Sequence, residues 1–550
     1  MEKRSIRHPA SPAPASAPSR DSSSWKDTPS PWRLILILIL LLGVFSRAWR
    51  LGDKILWIDE GISWKVASFK TVSEIIEYNR FEEHSPLPQI IDHFWIRLAG
   101  DSVFALHLQS LLWSVAALGV FAWMAFAMLP WRAALGATAA LSLSAFIPEF
   151  AQMLRYPSLG SFTAHVWLFM LLKYRKSAGS AWLLIYTVFL VASLRIHLYS
   201  LFAVIGISLF VAFFRGSFGP FSWRIHAAGA IAVATIIPKF LLMKSTGISS
   251  LARPVPLSDA LHHLAGLPVG GIVRAFFHFC TGRIVSIETL SIPSLIIIAG
   301  AFGAVLIAAL FHGTHRTEAR FCAVVLGGAV LFGWMGMIFR GIYFHTQYYV
   351  PLYGLFCLML GLGADRLCGR KPFLFPALLI TYFLFSFNLL HIYWQRLDRP
   401  ENQKTLLEHV AAHEREGDFI VLSPPYTFAF DYYWKGTIPV HDFSDDYDPV
   451  TTPHNNVFRI TAQERQINEE RLRRWHRDVA SRYKRVWVFW MLGAINTEDH
   501  AGLARRWLDE RFEKLETRPY RMIPFSDEYT GEMVLYRIRP PTPRPPAPGR

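Results

Sequence analysis

Apolar and polar positions alternate along this chain in long blocks, not in the short rhythms of a soluble core. Residues 1–31 hold Pro, Ala, Ser and scattered basic residues, with almost no large apolar ones. They cannot bury a core and predict a disordered tail. Apolar runs then recur near 33–50, 103–128, 131–148, 157–173, 180–195, 197–214, 225–243, 291–312, 319–339, 348–366 and 372–394. Each approaches the roughly 20 residues a helix needs to cross a bilayer. The reading is a polytopic α-helical membrane protein with about 11 transmembrane helices. The first run is followed by "SRAWRLGDK", with no small-residue cleavage site, so it reads as a retained span.

The charged loops orient this array. Segments 173–180, 215–224, 312–320 and 365–372 are short and basic, as is the N-terminal tail. Eleven spans with the N-terminus inside put all five on one side, which the positive-inside rule makes cytoplasmic. The opposite side receives 51–102, the turn at 148–157, the loop 244–290 and everything after 395. In 51–102, "ISWKVASF" and "LPQIIDHFWIRLAG" read as amphipathic helices lying at the interface.

After 395 the pattern changes. "GDFIVLS" (417–423), "RVWVFW" (485–490) and "EMVLYRI" (532–538) read as buried strands, and "AQERQINEERLRRWHRDVASRY" as a surface helix. The organisation is therefore a cytoplasmic tail (1–31), a membrane region (32–395) and a small C-terminal α/β extracytoplasmic domain (396–540). A disordered end (541–550) follows.

Composition narrows the classes. The chain is 52% hydrophobic and 18% charged, with a formal net charge of +15. No compact basic domain stands out, so the excess charge fits loops and anionic lipid, not nucleic acid. The four cysteines lack metal-ligand spacing and form no disulfide framework.

The candidate chemistry begins at "GDKILWIDEGISW". Asp59 and Glu60 stand side by side just past the first span, flanked by Trp57 and Trp64. Two carboxylates beside lipid are costly unless water, a cation or a substrate meets them. Asp59 reads either as a helix N-cap or as a functional acid. Further on, His84 precedes Pro86 and Pro88, which fix it at the mouth of the next helix. In "PEFAQMLRYPSLGSF" (148–162), Glu149, Arg155 and Tyr156 occupy an outer turn.

Taken in order, "W-x-DE-G", "H-x-P-L" before an amphipathic helix, "G-D-S", and Gln then Arg-Tyr before the fourth span resemble the GT-C type membrane glycosyltransferases. The resemblance is to bacterial enzymes related to aminoarabinose transferase and to protein O-mannosyltransferases. It covers 33–395 and, more loosely, the outer domain. Two departures are visible: Pro88 stands where the family usually has Tyr, and Gln347 precedes Tyr348 where Arg-Tyr is common. The resemblance implies sugar transfer from a polyprenyl-phosphate donor to a lipid, polysaccharide or protein acceptor. It implies the outer face of a bacterial inner membrane as the place.

Such a transfer needs a base for the acceptor hydroxyl and cations for the leaving phosphate, but no strong acid. Asp59 is then the base and Glu60 its neighbour, orienting it or helping to hold a divalent cation together with Asp59 and His84. A solvated first-turn glutamate is the alternative for Glu60. His84, Arg155 and Tyr156 are candidate donor contacts. Arg155 suits phosphate by its forked geometry; its alternative is snorkelling to headgroups. Among the outer cations Lys54, Lys239, Lys244, Arg274, Arg340 and His345, the two near "GIYFHTQYY", Arg340 and His345, are the favoured binders. Phe276, Phe277 and Phe279 read as either a wall of a prenyl groove or packing on neighbouring spans. Two rival functions stand beside the transferase: a lipid or glycolipid flippase, and a scaffold displaying the outer domain. No specific cofactor follows from the residues themselves.

Overall fold

The computed structural model describes residues 24–80, 85–214, 222–246, 269–285, 290–340, 345–369, 373–399, 402–423, 428–441, 467–491, 502–521 and 530–540, with isolated positions 216, 218, 219, 371 and 443. Every apolar block read above is helical. A short α1 (Ser24–Asp27) leads into α2 (Ser30–Ala48), which begins beside Pro31, a residue suited to a first helical turn. Three helices form the outer loop: α3 (Ile58–Ala67), α4 (Val72–Asn79) and α5 (Leu87–Ala99). The membrane array continues with α6 (Val103–Met128), α7 (Trp131–Ser142), α8 (Ile147–Ala151), α9 (Tyr156–Ser177), α10 (Ser180–Ile196) and α11 (Ser200–Phe213). It closes with α12 (Trp223–Ala234), α13 (Ile237–Thr246), α14 (Val269–Thr281), α15 (Ile292–Leu310) and α16 (Arg316–Arg340). A 3-10 turn (Thr346–Leu352) then precedes α17 (Tyr353–Cys368) and α18 (Leu374–Leu397).

Among the described residues, seven helical segments are long and apolar enough to cross a membrane; α10 and α11 are shorter apolar helices. On α15, Ile292, Ile296, Ile297 and Ile307 all face outward, a surface that suits lipid. The basic loops meet at one end. Arg175 pairs with Glu318 at 2.5 Å, His312 with Asp365 at 3.1 Å, and Arg132 donates to the Gly369 carbonyl at 3.5 Å. At the other end, Arg50 pairs with Asp398 at 2.5 Å, just past α18. Three of the basic loops, 173–180, 312–320 and 365–372, therefore share one end of the array.

Arg47 shows how polar groups are settled inside this array. It is buried and donates to the carbonyls of Gly43, Leu141 and Ser142. The last two belong to the C-terminal turn of α7, where helical carbonyls have no internal partner. Arg47 is a clamp between α2 and α7.

The centre of the array is the contact of α7 with α17. Gly361 of α17 lies against the Ala133 carbonyl and Ala137, where a Cβ would collide with backbone. Gly361→Ala is therefore expected to destabilise the protein by about 1–3 kcal/mol. Thermal unfolding in detergent checks this; an unchanged midpoint would show that the helices separate freely.

The outer layer is a five-stranded sheet of order β2-β1-β3-β5-β4. Its strands are β1 (Asp418–Ser423), β2 (Val440–His441), β3 (Arg485–Met491), β4 (Glu513–Arg521) and β5 (Thr530–Arg537). β1 is parallel to both β2 and β3, while β5 is antiparallel to β3 and β4. Alternate residues of the central β3 feed two cores, so the whole strand is apolar. Val486, Val488 and Trp490 meet α21 (Glu469–Arg482) and α22 (Leu503–Arg511), while Trp487 and Phe489 meet α19 (Gln403–His413) and α20 (Phe428–Tyr433). The three expected strands are present. β2 and β4 are additions: β2 has two residues, and β4 is a largely exposed edge whose charged pattern carries no strand signal.

Helix α20 seats this layer on the outer loop. Tyr433 Oη accepts from the Leu56 N–H at 2.7 Å, Tyr432 Oη donates to the Asp101 carbonyl at 2.8 Å, and Asp431 pairs with Lys65 at 3.1 Å.

Candidate active site

The local sequence explains how α3 presents its carboxylates. The N-cap is Trp57, so Asp59 falls at the second helical position and is not the cap. Glu60, at the third, turns back to accept from the Trp57 N–H at 3.4 Å, the glutamate half of a capping box. Adjacent helical residues point about 100° apart, so Asp59 and Glu60 diverge.

Glu60 faces inward and is wholly buried. One oxygen accepts from Lys54 Nζ at 3.3 Å and from Trp57; the other meets His107 Nε2 at 3.1 Å and the Leu154 N–H at 2.8 Å. Lys54 also donates to the Gln152 carbonyl at 2.7 Å, and His107 Nδ1 lies 3.0 Å from the Leu51 carbonyl. Burial alone would raise the Glu60 carboxyl, but Lys54, His107 and the Leu154 N–H outweigh it and hold it down to about 2. Glu60 is thus the bolt joining α3 to the turn at 152–155. Neither the solvated glutamate nor a group facing substrate describes it. Its four donors, one an ammonium, leave no lone pair suited to a metal, and Lys54 is likewise withdrawn from the outer surface.

Asp59 faces the other way. Its side chain is 28% exposed, and Arg155 Nη2 lies 3.2 Å from its carboxylate. Arg155 Nη1 also reaches the Asp59 carbonyl at 3.4 Å. Arg155 itself is only 9% exposed and occupies the N-cap position of α9 in extended backbone, so it is not a headgroup snorkel. A carboxylate partly open to solvent, with a guanidinium on one side, can accept a proton and lies beside a ready phosphate ligand.

Behind Arg155 runs a ladder of rings. Its guanidinium stands 5.5 Å from the Tyr156 ring centre. Tyr156 stacks on His197 at 4.0 Å, His197 on Tyr348 at 4.9 Å, and Tyr348 on Tyr199 at 4.1 Å. Tyr156 is buried, so it is a wall of the site and not an aromatic at the membrane surface.

The remaining candidates separate. His345 sits just before the 3-10 turn, 6.0 Å from the Tyr348 ring, its Nδ1 accepting from the Gln347 N–H at 3.4 Å. Burial, then the charges of Arg283, His278 and Arg274, push its imidazole well below the ordinary value. His345 therefore offers a neutral ring, not a cation. Arg340 ends α16, but its side chain lies outside the described residues, as does all of His84. Among the described residues, no group of three or more His, Cys, Asp and Glu could hold a metal ion. Glu149 is buried against Arg283 at 3.2 Å. Phe277 and Phe279 are core residues, with Phe279 packed on Phe146, Tyr353 and Phe356, so they form no groove wall.

One acidic group went unread in the sequence. Asp92 of α5 is buried and lies on the helix face that also buries Gln89 and His93, while Phe94 and Leu98 are exposed. The i, i+3, i+4 spacing of Gln89, Asp92 and His93 was the available signal. This amphipathic helix turns its polar stripe inward.

A scan against protein-family models finds no match, and a search of curated proteins finds none. Solved structures are similar. The aminoarabinose transferase ArnT from Cupriavidus metallidurans in the apo state aligns with a TM-score of 0.54 and 12% identity, over 93% of this chain and 98% of that one. The same enzyme bound to undecaprenyl phosphate aligns with a TM-score of 0.52 and 12% identity, over 93% and 99%. An apo oligosaccharyltransferase from Archaeoglobus fulgidus aligns with a TM-score of 0.48 and 11% identity, over 84% and 70%. The ArnT alignments identify the fold: this chain shares the polytopic helical architecture of that membrane protein.

Proposed function

We propose that this protein is a glycosyltransferase moving a sugar from a polyprenyl-phosphate donor to an acceptor hydroxyl, with Asp59 as general base. The observation that carries the reading is the Asp59–Arg155 pair: a partly open carboxylate held by a buried guanidinium, on the same helix end as the aromatic ladder. The similar ArnT structure was obtained with undecaprenyl phosphate, a ligand of the same class as the proposed donor's carrier.

In the proposed step, Asp59 takes the acceptor proton as the oxygen attacks the anomeric carbon. The bond from that carbon to the phosphate oxygen breaks on the opposite side, so configuration inverts. Charge grows on the departing phosphate, and Arg155 offers forked N–H donors to it. Glu60 acts at a distance by fixing the Leu154 N–H and hence the turn that carries Arg155. The aromatic ladder supplies rigid, apolar backing. The acceptor is a lipid, polysaccharide or protein hydroxyl, and the transferred sugar is a hexose or a pentose. In this reading the N-terminus is cytoplasmic and the site and the C-terminal sheet lie on the far side of a bacterial inner membrane, an orientation that the clustered basic loops support.

Mass spectrometry of lipids copurified with the protein tests the reading directly, because a bound donor reveals both prenyl length and sugar. Preparations devoid of prenyl phosphates, together with no transfer from any prenyl-linked sugar, would remove it. Arg155→Lys is expected to weaken transfer roughly tenfold, about 1.4 kcal/mol, because an ammonium cannot reproduce the fork. Transfer rates at saturating donor check this.

A further inference from the structure

Where α20 seats the outer layer on α3, the two layers leave a cleft that the proposed step does not use. Its volume is about 450 Å³, within the roughly 300–1,000 Å³ of small-molecule sites. Two aromatic rings line it: Trp64 of α3 and Tyr432 of α20 meet edge to face at 5.0 Å, and both are partly exposed. Both are pinned on Asp101, just before α6. Trp64 Nε1 donates to its carboxylate at 3.4 Å and Tyr432 Oη to its carbonyl at 2.8 Å. The rings are therefore oriented before any ligand arrives. From α19 come Lys404, Leu407, Glu408 and Ala411, whose i, i+3, i+4, i+7 spacing is one helix face.

The charges narrow the class of ligand. The lining holds three carboxylates, Asp101, Glu408 and Asp431, against two ammonium groups, Lys404 and Lys435. Lys404 lies 3.8 Å from Glu408, and Lys65 pairs with Asp431 at 3.1 Å. A phosphate meets paired cations among carboxylates here, and an acyl or prenyl chain finds little continuous apolar surface. Aromatic surface beside carboxylate acceptors suits a sugar ring instead. Its C–H face packs on the aromatic ring while its hydroxyls donate to the carboxylates.

We propose that this cleft is a saccharide-binding subsite which seats sugar units of a glycan acceptor beside α3. Saccharide binding rests on the cleft itself; the acceptor role rests on the transferase reading. Trp64 follows Asp59 by five residues, so the two lie about 7.5 Å apart along the helix axis and point about 140° apart around it. The sugar in the cleft is therefore not the one that gives its proton to Asp59. The reactive hydroxyl belongs to a unit further along an extended glycan.

The experiment applies the purified full chain in detergent to an array of immobilised bacterial envelope saccharides, then measures dissociation constants for the best ligand in solution. Ala411→Trp adds bulk at a partly exposed position of the α19 face and removes no charged or aromatic group, so it should remove binding while the unfolding midpoint holds. Glu408→Ala, at a side chain 59% exposed, should weaken binding roughly fivefold to tenfold, the usual loss of a hydrogen bond to a charged group. Trp64→Ala should abolish it, and the two α19 variants keep the test open if Trp64→Ala fails to fold. Undecaprenyl phosphate is titrated into the same preparations, and its affinity should not change. Saccharide binding retained by all three variants would overturn the subsite and leave the transferase reading standing. So would an array without signal when undecaprenyl phosphate binds the wild type, or capture of a lysine-rich peptide in place of any saccharide. Saccharide binding that the variants lose, in a wild type that binds no undecaprenyl phosphate, would keep the saccharide site and remove its acceptor role.

Discussion

Asp59→Asn should lower sugar transfer by about 10²–10⁴-fold, the range general base catalysis supplies. Asn keeps the shape of the side chain and an oxygen for Arg155, but it cannot take the acceptor's proton. Stability should fall by only about 1–2 kcal/mol, because Arg155 is nearly buried and loses its counter-charge while the Asp59 side of the pair is partly solvated. That separation gives the result its meaning. Binding of the donor should persist, since Arg155 is intact, so the loss falls on turnover. The measurement is single-turnover transfer from a prenyl-phosphate sugar, beside thermal unfolding of the same preparations. Transfer at the wild-type rate would take the base role from Asp59. A flippase would show the opposite pattern: unchanged lipid movement in liposomes and no transfer by either protein.

The membrane architecture was legible in the sequence because a span's signal is local. An apolar run of sufficient length must be helical to satisfy its own backbone in lipid. Asp59 and Arg155 were legible for another reason: each sits in a short ordered motif at the outer end of a span. What the sequence could not show was which of two adjacent carboxylates is open to solvent. The partners that decide this lie 6, 47 and 94 residues from Glu60, in Lys54, His107 and Leu154. Asp92 was hidden by the opposite problem. Its helix reads as amphipathic, and amphipathic helices are expected to bury the apolar face. Beside lipid that rule inverts, and the polar stripe of α5 lines the interior. Lys54 illustrates the same inversion, since it reads as an outer cation and is a buried clamp.

Glu60→Gln should cost about 3–5 kcal/mol, the usual consequence of breaking one side of a buried ion pair. The amide fits the space, but Lys54 is left buried without its counter-charge. The amide nitrogen is also a donor, and each carboxylate oxygen meets two of the four neighbours, Lys54 with the Trp57 N–H or His107 with the Leu154 N–H, so at least one backbone N–H faces donor against donor. Unfolding midpoints in detergent should fall by several degrees, and Lys54→Met in the same background should recover part of the loss by removing the stranded ammonium. The pH dependence provides an independent check. Because the folded carboxyl is held to about 2, against an ordinary 4.5, its contribution is fully present above 4.5 and lost as pH falls toward 2. That shift corresponds to about 3 kcal/mol, the same order as the substitution. The wild type should therefore lose its advantage over Glu60→Gln between those pH values, and the two stability curves should converge. Curves that stay parallel would mean Glu60 carries no pH-linked stability. Activity should fall along with stability, because the Leu154 N–H that Glu60 holds adjoins Arg155, and a guanidinium displaced by about an ångström can no longer serve both Asp59 and a phosphate.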